Sequence, residues 1–322
     1  MTTKADKDLH QKRWFQAVFA NDIATCRRLL ESSSVDVDVK HIDEWTALHI
    51  ASWYDFRDLV DLLLEYRANI NNQKADGCTP IYLACQLGRT DLVKYFLERN
   101  ADINIRRTCG ATPLYISAQE GKEDVAKLLL AHGAAVDAVK HDGADAFYIA
   151  CQKNHLNLVR LFLEKGADLN HTQQAGATGF YVACKESSND VVRYLLDFGG
   201  VDVNHYTKIG RTPLHVACLS ANLEVIGLLL DNRANIDQQN NRGETPLHTA
   251  AELCSVDVVT CLLQRGASTT LRTKSQLLPE ECTTSDAIKA LIADAVSIRE
   301  GYLVSSSNRL KKTKNARNKL YQ

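Results

Sequence analysis

The chain has 322 residues, 45% of them hydrophobic, with 38 basic against 39 acidic side chains. So even a balance gives no overall pull toward nucleic acid or an anionic membrane, and no apolar run reaches the ~18 residues needed to span a bilayer. The opening "MTTKADKDLH" is polar and lacks an apolar leader core, which sets the expectation of a reducing, intracellular home for the ten cysteines.

In chain order, the first helix-sized pieces lie between Leu9 and Val37, around "FANDIATCRRLLE". From Thr46 the chain repeats itself. "TALHIAS" begins at Thr46, "TPIYLAC" at Thr79, "TPLYISA" at Thr112, "DAFYIAC" at Asp145, "TGFYVAC" at Thr178, "TPLHVAC" at Thr212 and "TPLHTAA" at Thr245. Successive starts are 33 residues apart, except for one step of 34 between Thr178 and Thr212 that falls in the Gly-Gly loop "FGGVDVN". A fixed period of this size means stacked supersecondary units.

Each unit carries the same signals. The Thr or Asp hydroxyl or carboxyl can cap a helix start, and Pro80, Pro113, Pro213 and Pro246 sit at the first helical position, where no N–H is missed. A short helix breaks at Gly88, Gly121 or Asn154. A second helix follows with apolar pairs at helical spacing, as in "LVKYFLE" and "LVRLFLE". Arg67 and Arg233 stand where Gly133, Gly166 and Gly266 can supply a left-handed helix end. Turns such as Asp76-Gly77 and Asp142-Gly143 then project before the next Thr.

These motifs resemble the ankyrin repeat over about residues 5–297. The resemblance implies an all-α repeat solenoid of helix-turn-helix units with β-hairpin-like loops and capping repeats at both ends. The expected organisation is an N-terminal cap over 1–42, then repeats over 43–75, 76–108, 109–141, 142–174, 175–208, 209–241 and 242–274. A degenerate C-terminal cap over 275–297 and a basic, disordered tail over 298–322 complete it.

The period also assigns the chemistry-bearing residues. His49 is equivalent to Tyr82, Tyr115, Tyr148, Tyr181, His215 and His248. A catalytic base would not be replaced by tyrosine four times running; an apolar ring with a polar tip reaching the next repeat explains all seven. Cys85, Cys151, Cys184 and Cys218 share one packing position with Ser52, Ala118 and Ala251, while Cys78 and Cys109 are expected near exposed loop tips. No C-x-x-C, zinc spacing, phosphate-cradling glycine loop or G-x-S-x-G is present. The expectation is no enzyme, no cofactor and no metal.

Function then rests on positions that the period leaves free. Family geometry places the residue before each Thr, and the two that end the first helix, on a concave groove. Trp45, Trp53 and Tyr54 are the aromatic residues in that set and are read as a partner's apolar anchor, against local packing under Trp14, Phe15 and the N-terminal cap. Gln86, Leu87, Gln119 and Gln152 form the middle; Lys208, Arg211 and Arg242 are basic positions toward the C-terminal end, opposite Asp43, Glu44 and Asp76. Asn104, Asn170 and Asn204 resemble asparagines hydroxylated in some ankyrin repeats, with a loop hydrogen bond as the simpler role. The expectation is a monomeric cytoplasmic adaptor or scaffold that binds a protein or extended peptide and does not insert into a membrane. The alternative is a nuclear regulator whose 309–319 basic segment gives import or nucleic-acid contact while the repeats hold a transcription factor.

Overall fold

A computed structural model describes residues 4–297; the tail over 298–322, and every expectation placed on it, lies outside the described residues. The chain divides between Gln174 and Ala175 into two compact units. The first holds α1 (Lys4–Phe19), α2 (Ile23–Glu31), a 3-10 turn at Ile42–Glu44, α3 (Ala47–Tyr54), α4 (Arg57–Glu65), α5 (Pro80–Leu87), α6 (Thr90–Glu98), α7 (Pro113–Gln119), α8 (Glu123–Ala131), α9 (Ala146–Gln152) and α10 (Leu156–Glu164). The second holds α11 (Gly179–Lys185), α12 (Asn189–Phe198), α13 (Pro213–Leu219), α14 (Leu223–Asp231), α15 (Pro246–Glu252), α16 (Val256–Gln264), a 3-10 turn at Pro279–Cys282 and a helical stretch over 286–297. No β-strand forms among the described residues.

The helix starts are the capped threonines. Oγ1 of Thr79 accepts the N–H of Tyr82 at 3.3 Å, and Thr112 and Thr178 do the same for Tyr115 and Tyr181 at 3.1 Å. Asp145 replaces Thr with its carboxylate, 2.7 Å from the N–H of Tyr148. Each cap satisfies a donor that the first helical turn cannot.

First and second helices are buried differently, which explains their compositions. In α5, Pro80 to Cys85 are all buried, because the helix lies between α3 and α7 and also packs on α6. A helix enclosed on all sides must be apolar all round. In α6 only Leu92, Val93, Phe96 and Leu97 are buried, a single stripe that faces the stack. The second unit repeats this arrangement, with α13 between α11 and α15.

Between first helices, histidine links one repeat to the next. Nδ1 of His49 accepts the N–H of Thr46 at 3.2 Å, so Nε2 carries the proton and donates to the carbonyl of Cys78 at 3.0 Å. His215 reaches the carbonyl of Glu244 at 3.0 Å and His248 that of Leu277 at 3.2 Å. Burial pushes His49 down to about 4 and depresses His215 and His248 as well, holding the rings neutral.

The projecting loops are zipped by single backbone bonds. Ala75 donates to Asp43, Thr108 to Asp76, His141 to Cys109 and Gln174 to Asp142, at 2.8–3.1 Å. In the second unit Lys208, Asn241 and Lys274 donate to Ala175, Ile209 and Arg242. This close approach requires glycine at the tip: Gly77 has φ +81°, and a Cβ there would meet the N of Thr108 at 2.9 Å. Behind the tips, side chains lend a second rung. Asn71 accepts the N–H of Asp102 at 2.9 Å, and Asn204 accepts that of Asn235 at 2.7 Å while donating to the carbonyl of Arg233.

Candidate functional site

In the first unit the loop before α3 and the C-terminal end of α3 place three aromatic side chains together. Trp45 sits in the loop and accepts, through its carbonyl, the N–H of His41 at 2.7 Å. Trp53 and Tyr54 are the last residues of α3, which Asp55 ends in the left-handed conformation at φ 61°. The rings of Trp45 and Trp53 meet nearly at right angles, 79°, with centroids 6.0 Å apart. Tyr54 stacks on Phe56 at 5.4 Å. Trp53 remains 36% exposed and Tyr54 51%.

A cleft of about 350 Å³ opens between these rings, with Phe19, His41, Ile42, Asp43 and Ile50 completing its walls. Trp14 is fully buried, and Phe15 packs on His41 with centroids 4.4 Å apart. α1 therefore supplies one wall of the cleft through Phe19 and leaves Trp53 and Tyr54 partly exposed. Phe19 and Ile42, 48% and 72% exposed, belong to this surface and were missed in the sequence reading. Ile42 had a signal: it is a large aliphatic residue at a loop position held by Ala75, Thr108, His141, Gln174, Lys208 and Asn241 in other repeats.

The loop itself differs from its equivalents. Asp43 and Glu44 both have positive φ, 54° and 61°, where the later loops place Gly only at the second position, as at Gly77 and Gly143. Glu44 pairs with Lys40 at 2.6 Å. Asp43 gives its carbonyl to Ala75. Lys74 Nζ stands 5.4 Å from the Trp45 ring centroid and is held by Asp76 at 2.6 Å.

The other candidates are spread along the ends of the first helices. Gln86, Leu87, Gln119 and Gln152 are half-buried at the ends of α5, α7 and α9. Gln119 donates to Glu120 at 3.0 Å, and its carbonyl takes a bond from His155. In the second unit Lys208 and Arg242 are exposed at the loops and Arg211 is half-buried. Arg242 lies 3.9 Å from Glu244.

Two expectations need correction. Cys78 is not an exposed tip thiol: it is 2% exposed, and burial pushes its thiol up to about 12. Its carbonyl is the acceptor for His49, which draws the residue before the Thr inward. Ala111, Ala144 and Ala177 are buried at the same position, so the small residues there pack inward and are not free to make contacts. Charge at the tips is also more compensated than the residue types suggest. The Asp76 carboxylate opposes burial through bonds from Lys74 and Cys78, which hold it at about 2, and Arg107 pairs with it at 2.7 Å.

In the second unit Ile209 is exposed at a loop tip, and Leu219, Leu253 and Leu277 are exposed elsewhere along the same unit. Ile209 was missed, although its position is occupied by Asp76, Cys109, Asp142 and Arg242 in other repeats. Among the described residues no group of three or more His, Cys, Asp or Glu side chains could hold a metal ion, and no helix is long and apolar enough to cross a membrane.

A family model described as ankyrin repeats, three copies, matches residues 14–107, 102–173 and 180–273. Among solved structures, the crystal structure of the human ASB11 ankyrin repeat domain is similar, with a TM-score of 0.63 and 28% sequence identity. That likeness covers 70% of this chain and 99% of the other. No curated protein matches the chain.

Proposed function

This chain belongs to the ankyrin-repeat family, whose repeats are in general protein-interaction modules, and from that premise we propose that it is a non-enzymatic adaptor. It binds a protein or extended peptide along the face built from its loops and first-helix ends. The aromatic corner of Trp45, Trp53 and Tyr54 carries this reading. Stacking accounts for the periodic apolar positions, yet these rings lie outside the period, and Trp53 and Tyr54 stay exposed beside a cleft. Aromatic side chains bury ~150–250 Å² each and dominate interface hot spots. Gln86, Leu87, Gln119 and Gln152 extend the surface along the first unit, and Lys208, Arg211 and Arg242 add basic contacts on the second. A cytoplasmic setting is part of the proposal, supported by cysteines spent on helix packing.

Pull-down or proximity labelling of the native chain against a combined Trp45→Ala, Trp53→Ala, Tyr54→Ala variant tests the reading, once circular dichroism shows equal helicity and melting. Partners lost only from the variant support it. An unchanged partner set removes the aromatic corner from the binding surface.

A further inference from the structure

Building on that binding reading, we propose that the aromatic corner receives a cationic side chain, lysine or arginine, from an extended segment of the partner. The geometry of the cleft favours a cation over an aliphatic anchor on three counts.

The first is the arrangement of the rings. Trp45 and Trp53 meet edge to face at 79° with centroids 6.0 Å apart, and Trp53 and Tyr54 keep 36% and 51% of their surface exposed beside the cleft. Aromatic faces carry the negative part of the ring quadrupole and attract ammonium or guanidinium groups within about 6 Å.

The second is Asp43. It lines the same cleft, and among the described residues its carboxylate has no ion pair or hydrogen bond. Its neighbours are answered: Glu44 by Lys40, and Asp76, at the same loop position one repeat on, by Lys74 and Arg107. A docked aliphatic chain would take water from the Asp43 carboxylate and return nothing, which is unfavourable. A cation supplies the missing charge. The apolar walls at Phe19 and Ile42 suit the methylene stem of such a side chain.

The third is a cation already in use. Lys74 Nζ lies 5.4 Å from the Trp45 ring, and its charge is answered by Asp76 at 2.6 Å. The Trp45 indole thus already attracts an ammonium, while Trp53 and Tyr54 beside it stay partly exposed.

Fluorescein-labelled nine-residue Ala/Leu peptides that differ at one central residue test this on the full chain by anisotropy. The central residue is lysine, arginine, norleucine or citrulline. The lysine and arginine peptides are expected to bind about tenfold more tightly than the neutral pair. Asp43→Asn should remove most of that advantage while keeping the loop, since asparagine tolerates the left-handed conformation at φ 54°. Trp53→Ala should weaken the cationic peptides by at least about fivefold. Equal binding of norleucine and lysine peptides overturns the proposal, and if Trp53→Ala abolishes both, the corner is an apolar anchor and the broader adaptor reading survives. An advantage unchanged in Asp43→Asn, or no binding by any of the four peptides, overturns it as well. The partner comparison with the triple variant judges the adaptor reading separately.

Discussion

His49 and Cys78 are joined across two repeats: Nε2 of the buried imidazole donates to the Cys78 carbonyl at 3.0 Å, while Nδ1 receives the N–H of Thr46. One ring thus caps its own helix and fastens the next loop. Because the side chain is fully buried, its loss leaves an unpaired donor, an unpaired carbonyl and a void.

His49→Ala is therefore expected to lower unfolding free energy by about 2–4 kcal/mol, read from the urea midpoint. His49→Tyr should cost less, since Tyr82 and Tyr115 occupy the equivalent position in the next two repeats and are buried there.

The same ring sets a pH dependence. Its folded value of about 4 lies below the ordinary 6.5 because burial disfavours the charged form. A depressed group contributes stability that is fully present above the unfolded value. That stability is lost as pH falls from 6.5 through 4, on the order of 3 kcal/mol for a shift of this size. His215 and His248 are shifted in the same direction. Urea midpoints measured from pH 7.5 to 4 should fall less steeply in His49→Tyr than in the native chain; parallel curves would remove His49 from the account.

Asn204 fastens the loops of the second unit, accepting the N–H of Asn235 at 2.7 Å and donating to Arg233. Asn204→Ala should cost about 1–2 kcal/mol. Hydrogen exchange at the Asn235 amide is the specific readout, with protection expected to drop there before it drops in α13.

Arg67 and Arg233 hold left-handed helix ends at φ 62° and 65°, where a side chain costs roughly 1 kcal/mol relative to glycine. Arg67→Gly and Arg233→Gly should each raise the melting temperature slightly, and the pair should be additive because the sites lie in different repeats. A fall in either single variant would show that the arginine side chain contributes more than its backbone strain removes.

Thiol reactivity should separate the cysteines by burial. Cys254 is exposed, and hydrogen bonding with Thr283 and Thr284 holds its thiol below the usual value. Cys85, Cys184 and Cys218 are buried, which pushes their thiols up. Brief iodoacetamide treatment followed by peptide mass spectrometry should find Cys254 and the exposed Cys109 labelled and those three unmodified.

Much of this molecule is written in one dimension. The 33-residue spacing from Thr46 to Thr178 is a count, and it locates the helix starts because a threonine cap and an N1 proline act on adjacent residues. The largely apolar first helices and striped second helices follow from the same spacing, as does the packing role of His49, since periodic recurrence marks a residue that each repeat spends on its neighbour.

Tertiary structure alone decided what the free positions do. That Cys78 and Ala111 are buried, and that Asp76 is neutralised by Lys74 and Arg107, depends on a loop folding inward and on partners from other positions. Phe19 lies 26 residues before Trp45 in sequence, yet both line one cleft because α1 packs against α3. Periodicity reports which residues a repeat spends on its neighbours. It carries no information about how irregular residues from the cap and the first loop meet, because their angles and separations are set by packing between elements.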